Sequence, residues 1–184
     1  MEISSYISCI RNAIPAEFCE NIINKYKNAE WRNHTWQTNY GNAQLTYGNN
    51  ELDVYNITEQ DVNIEFWKYI QNALNFYQAE RNITAFVTKV SEIRLNRYNT
   101  NTCMRTHVDH IYDLFDGEKR GIPVLSIIIN LNENYEGGEL TFFDNEEIKL
   151  TQGDIVIFPS NFMYPHGVNL ITNNIRYSAV AWAY

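Results

Sequence analysis

Six short apolar runs crowd the second half of the chain, at residues 87–98, 124–131, 140–143, 154–158, 168–171 and 176–183, and they constrain the fold more than any other feature. Turn formers separate them: Asn99-Thr100-Asn101, Asp116-Gly117, Gly137-Gly138, Gln152-Gly153-Asp154 and Asn173-Asn174. Short runs at this spacing, with Gly, Asn and Pro between them, read as the strands of a β-sandwich or a jelly-roll barrel.

Helical periodicity is confined to the first half. Residues 6–10 suit a strand. Pro15 then stands in the first turn of a helix whose face is Phe18, Cys19, Ile22, Ile23 and Tyr26, ending near Asn28. A second helix spans about 59–80: Thr58-Glu59-Gln60-Asp61 resembles a capping box with Asp in the acidic slot, followed by the stripe Phe66, Ile70, Ala73, Leu74 and Tyr77. Two helices before an all-β half predict helices laid on the outside of one sheet, within one domain over 1–184. That domain divides into a helical and lid part, about 1–86, and a jelly-roll core, about 87–184. The segment 31–56 is rich in Asn, Thr, Tyr and Trp, with no helical period, and reads as hairpins or a long loop. Its aromatic residues Trp31, Trp36, Tyr40, Tyr47 and Tyr55 make it a candidate substrate lid.

Composition then removes whole function classes. A net charge of −8, from 14 basic and 22 acidic residues, weighs against a chain that grips nucleic acid through phosphates. No stretch of about 18 apolar residues is present, and the start Met1-Glu2-Ile3-Ser4-Ser5-Tyr6 lacks the basic and apolar segments of a secretory signal, so a soluble, cytoplasmic protein without membrane contact is expected. Cys9, Cys19 and Cys103 are odd in number and lack CxxC spacing, which predicts free thiols. Oligomeric state leaves no mark in the sequence.

The chemistry-bearing residues lie in the β half. His107-Val108-Asp109 sets an imidazole and a carboxylate two residues apart, on one face of an extended segment. With His166 as the third donor, this makes the two-His, one-carboxylate set that suits Fe(II) and leaves coordination positions open. Arg176 follows ten residues after His166, at the start of a strand. An Arg entering a barrel is costly to bury without an anion, and its planar fork fits a carboxylate. His34 and His110 have no such placement and read as core or solvent histidines.

These residues, together with Tyr98 ahead of the first His, Gly137-Gly138-Glu139-Leu140 and Gly153-Asp154, resemble the pattern of the 2-oxoglutarate and Fe(II)-dependent dioxygenases, in the branch similar to prolyl 4-hydroxylases. The resemblance implies a double-stranded β-helix (jelly-roll) core, a mostly β (α+β) fold, with an N-terminal strand and flanking helices. It implies Fe(II) held by His107, Asp109 and His166, with 2-oxoglutarate and O2 as co-substrates and ascorbate as an accessory reductant. Arg176 would pair with the distal carboxylate of 2-oxoglutarate, with Tyr98, Asn130 and Val168 also around the co-substrate. Trp182, Arg120 and Tyr40 are the substrate-side candidates. The implied reaction hydroxylates an unactivated C–H bond, foremost in a peptidyl proline, while 2-oxoglutarate becomes succinate and CO2.

The alternatives are another small amino-acid or metabolite substrate, or a catalytically silent jelly-roll binding module. Asp109 stands against an iron halogenase, which has Gly or Ala there. Trp182 stands against the nucleic-acid demethylases, which carry a second Arg at that place. The absence of HxH spacing stands against a cupin-like metalloenzyme.

Overall fold

Leu125-Ser126-Ile127-Ile128-Ile129-Asn130 is buried at every position, as a strand covered on both faces must be. This strand lies near the middle of the protein, seen in a computed structural model that describes residues 2–37, 44–45, 50–84, 87, 89–109, 115–116, 119–120, 123–143 and 146–184. After a 3-10 turn at Ile3–Tyr6, the first half runs β1 (Ser8–Ile10), α1 (Ala16–Tyr26), β2 (Arg32–Asn33), β3 (Trp36–Gln37), β4 (Gln44–Leu45), β5 (Asp53–Asn56) and α2 (Gln60–Glu80). Next come β6 (Arg94–Tyr98), β7 (Met104–His107), β8 (Phe115–Asp116), β9 (Lys119–Arg120), β10 (Leu125–Asn130), β11 (Glu136–Gly137) and β12 (Leu140–Phe142). The chain closes with β13 (Glu146–Ile148), β14 (Ile155–Pro159), β15 (His166–Val168), β16 (Ile171–Asn173) and β17 (Arg176–Ala183).

Seven strands form one antiparallel sheet in the order β1-β14-β10-β17-β6-β5-β2, and four form a second in the order β13-β12-β15-β7. Alternation along β10 assigns the two faces of the large sheet. Ile127 and Ile129 join Phe18, Ile22, Phe66, Ile70 and Leu74 in a core under the helices. Ile128 turns the other way, into a second core with Phe142, Leu140, Val168, Met104 and Val180 between the two sheets. The result is the mostly β, double-stranded β-helix architecture, with both helices on the outer face. Strands β1, β2 and β5 belong to the large sheet, so segments before residue 86 help build the core layer.

Several local expectations need correction. Pro15 is the N-cap of α1, with ψ 139°, one position ahead of the first turn. The capping box at Thr58 does not form: Glu59 occupies the N-cap without a side-chain cap bond. Asn63 ties that end down, donating to the Ile57 and Glu59 carbonyls at 3.0 and 3.2 Å and accepting from the Ile93 amide at 2.8 Å. The run 87–98 is a strand only from Arg94 onward. The run 168–171 is divided, because β15 pairs with β7 and β12 whereas β16 pairs with β11. The three cysteines are free thiols. Among the described residues no helix is long and apolar enough to cross a membrane.

Candidate metal and co-substrate site

Cross-strand register assembles the site from three pairs. His166 opens β15 directly opposite His107, the last residue of β7, so the two rings lie 4.4 Å apart between centroids. Asp109 follows two residues later and brings Oδ1 to 3.3 Å from His107 Nε2 and Oδ2 to 3.8 Å from His166 Nε2. One ligand atom from each residue falls within 4.8 Å of the others. On the large sheet, Ser126 and Trp182 are register partners, and both donate to Asp109 Oδ2, at 2.6 and 2.9 Å. The third pair, Arg176 and Tyr98, stands at the far end of β17 and β6.

The hydrogen bonds orient the imidazoles. His107 Nδ1 faces the Arg105 carbonyl at 2.8 Å and His166 Nδ1 faces the Tyr164 carbonyl at 3.2 Å. A carbonyl only accepts, so Nδ1 carries the proton in both rings and the Nε2 lone pairs point toward Asp109. Burial pushes the His166 pKa down to about 4 against the opposing pull of Asp109, which leaves its imidazole neutral near pH 7. Burial would raise Asp109, but His107 and His166, in their protonated forms, and the Ser126 hydroxyl outweigh that and hold the carboxyl well below its ordinary range. Two lone pairs and a carboxylate turned on one point fit a divalent cation of borderline softness.

Arg176 is fully buried, yet Nη1 and Nη2 have no hydrogen-bond partner among the described residues. Only Nε is used, donating to Asn130 Oδ1 at 3.1 Å and to the Tyr135 hydroxyl at 3.3 Å. The guanidinium stacks 5.0 Å from the Tyr98 ring centroid. A buried cation with an open fork is costly unless an anion fills it, so the donor set fits a carboxylate at this end. Gly138 makes room for the Arg176 stem: its φ is +69°, and an added Cβ would clash with Ile171 and press on Arg176 Cδ at 3.1 Å.

Alternation places the cavity wall. Arg94, Asn96 and Tyr98 from β6 face Arg176, Ser178, Val180 and Trp182 from β17, and His107, Asp109, His166, Val168, Met104 and Ile128 complete it. Of the sequence candidates, His107, Asp109, His166, Arg176, Tyr98, Val168 and Trp182 thus line one cavity. Asn130 does not. Its side chain stands behind Arg176, accepting from Nε and donating to the Asn132 carbonyl, so it supports the cation. Tyr40, Tyr47 and His110 lie outside the described residues, as does the side chain of Arg120 on β9. The lid expectation fails for Trp31 and Tyr55. Tyr55 pairs with Leu95, on the helix side of the sheet, and its ring packs on Trp31 and Tyr26. Trp36 does reach the site, its ring edge-on to His107 at 5.3 Å, while His34 is buried beside it.

Sequence reasoning missed Ser126, Tyr135, Asn96 and Arg94. Counting back by twos from Tyr98 would have found the last two, and a serine inside an apolar run is itself a signal for Ser126.

A family model described as the 2OG-Fe(II) oxygenase superfamily matches residues 93–184. A PKHD-type hydroxylase of Acinetobacter baumannii is 30% identical over 177 residues, covering 88% of this chain and 74% of that protein. The PKHD-type hydroxylase YbiX of Escherichia coli is 27% identical over 167 residues, covering 84% and 71%. In structure the chain is similar to a prolyl-4-hydroxylase of Pseudomonas putida, with a TM-score of 0.71, 17% identity and coverage of 97% and 92%. The viral collagen prolyl hydroxylase of Paramecium Bursaria Chlorella virus-1, solved with 2OG, gives a TM-score of 0.68, 17% identity and coverage of 97% and 94%.

Proposed function

This chain belongs to the 2OG-Fe(II) oxygenase superfamily, and from that premise we propose that it hydroxylates an unactivated C–H bond of a peptidyl proline in the cytoplasm while 2-oxoglutarate becomes succinate and CO2. The observation that carries the co-substrate assignment is the open fork of buried Arg176 in the cavity that also holds His107, Asp109 and His166. In this reading the three ligands hold Fe(II), and the bound metal supplies O2 activation and a Lewis-acid site for the keto acid.

The protein's own part is positioning and exclusion of water. The Arg176 fork takes the distal carboxylate with Tyr98 stacked beneath it, and Asn130 and Tyr135 fix its rotamer from behind. Ser126 and Trp182 hold Asp109 so that one oxygen stays turned toward the metal. Val168, Ile128 and Val180 keep the cavity dry. Support for proline comes from the two prolyl hydroxylases similar in structure and from the aromatic rings of Trp182 and Trp36 near the metal end, which suit a pyrrolidine ring.

The test incubates the protein with Fe(II), 2-oxoglutarate, ascorbate and proline-containing peptide pools, and searches by mass spectrometry for a single added oxygen. Peptide hydroxylation lost in Asp109→Ala is expected. Oxygen added only to free amino acids or other metabolites would overturn the peptide assignment.

A further inference from the structure

Arg94 is a second cation on the cavity wall, and the proposed reaction leaves it without a task. It sits two residues before Asn96 and four before Tyr98 on β6, so all three share the cavity face. Four residues of strand separate its row from that of Arg176, a backbone distance of about 13 Å. The two guanidiniums therefore serve opposite ends. Arg94 as a residue is less buried than Arg176.

Its geometry is that of a prepared binding group. Nε donates to Asn96 Oδ1 at 3.1 Å, and the guanidinium lies 4.9 Å from the Trp182 ring centroid, so the plane is fixed on two sides. No described carboxylate makes an ion pair with it, and no described residue accepts from its terminal nitrogens. Trp182, the platform, also donates to Asp109, which ties the Arg94 position to the metal ligands. Burial lowers the Arg94 pKa while Asp109 counters it, so an incoming anion would relieve a cost already present.

We propose that Arg94 is a second carboxylate-binding residue, holding an anionic group at the metal end of the cavity while Arg176 holds one at the other. This rests on the oxygenase reading above. Two sources can supply that carboxylate: the metal-proximal carboxylate of 2-oxoglutarate, or an acidic group on the primary substrate. The stacking of Arg94 on Trp182, four strand residues from Arg176, favours the primary substrate, since Arg176 already takes the co-substrate in this reading.

The experiment compares wild type with Arg94→Gln, using the iron-loaded protein without oxygen. The visible charge-transfer band of chelated 2-oxoglutarate is titrated first. Succinate formation is then followed in air with a panel of amino acids and short peptides, each supplied as free acid and as C-terminal amide. If the carboxylate is the substrate's, both proteins bind 2-oxoglutarate alike, wild type turns over faster with acids than amides, and Arg94→Gln loses that preference at least tenfold. If it belongs to the co-substrate, the variant instead needs at least tenfold more 2-oxoglutarate to develop the band. Equal 2-oxoglutarate affinity, together with either no acid preference in wild type or a preference retained in Arg94→Gln, overturns the proposal. Failure of the oxygenase reading looks different, because wild type would then show no band at all.

Discussion

At the scale of single residues, the site is built from polar groups that the fold leaves unsatisfied. Arg176 buries a charge and, among the described residues, uses one of its three nitrogens on protein acceptors. Removing a buried, unpaired charge while keeping volume commonly stabilises a protein. Arg176→Met is therefore expected to raise the melting temperature of the ligand-free protein while lowering 2-oxoglutarate affinity at least tenfold. A lower melting temperature with unchanged affinity would show that the charge is structural. Asp109 presents the converse, a carboxylate whose Oδ2 is held by Ser126 and Trp182. Loss of such supporting bonds costs about 10–100-fold in metal affinity. Iron titrations of Ser126→Ala and Trp182→Phe should show weakening of that order, with the protein still folded.

At the scale of elements, register and alternation decide what meets what. The sequence pattern was legible where one signal dominated: β17 runs over Arg176–Ala183 as expected, and the apolar stripe of α2 is buried along its length. It was illegible where tertiary pairing overrode local pattern. Nothing local tells that 168–171 must break so that β15 can face β7, or that Asn63 and not Thr58 anchors α2. His107, Asp109, His166 and Arg176, which line one cavity, were picked out by the spacing of the two histidines, the carboxylate and the Arg and by the family resemblance. Asn130 shares its strand face with Ser126 and Ile128 but stands behind the Arg176 side chain, and the sequence does not show which neighbour covers it. Gly153-Asp154 shows an element-scale role of a motif residue. Asp154 is fully buried and accepts from the Thr151 and Asn12 amides, the Thr151 hydroxyl and Arg11, which pins the turn after β1 to the loop before β14. Asp154→Ala should cost about 2–3 kcal/mol of stability by denaturant unfolding, because two backbone donors lose their partner. A cost below about 0.5 kcal/mol would contradict this role.

At the scale of the whole molecule, helices cover one face of the large sheet and the second sheet closes the other, so the cavity is walled by strands on both sides. That enclosure also sets pH dependence. His34 is buried beside Trp36, with Nδ1 3.7 Å from Glu51. Burial pushes its pKa down from 6.5 to about 4, with Arg94 and His107 acting in the same direction and Glu51 opposing. The unfolded chain takes up this proton near 6.5, whereas the folded protein resists it until about 4. The stability contributed is therefore complete above pH 6.5 and lost as pH falls through about 4. Thermal melts between pH 4 and 7 should show a shallower decline for His34→Gln than for wild type; equal slopes would assign the acid sensitivity elsewhere.

The central claim is that one cavity seats a metal on His107, Asp109 and His166 together with a keto acid on Arg176. Anaerobic addition of Fe(II) and then 2-oxoglutarate, followed in the visible, tests it most directly. A charge-transfer band that needs both components, and that moves to at least tenfold higher 2-oxoglutarate in Arg176→Met, is the predicted result. Stoichiometric iron binding with no band at any 2-oxoglutarate concentration would contradict it.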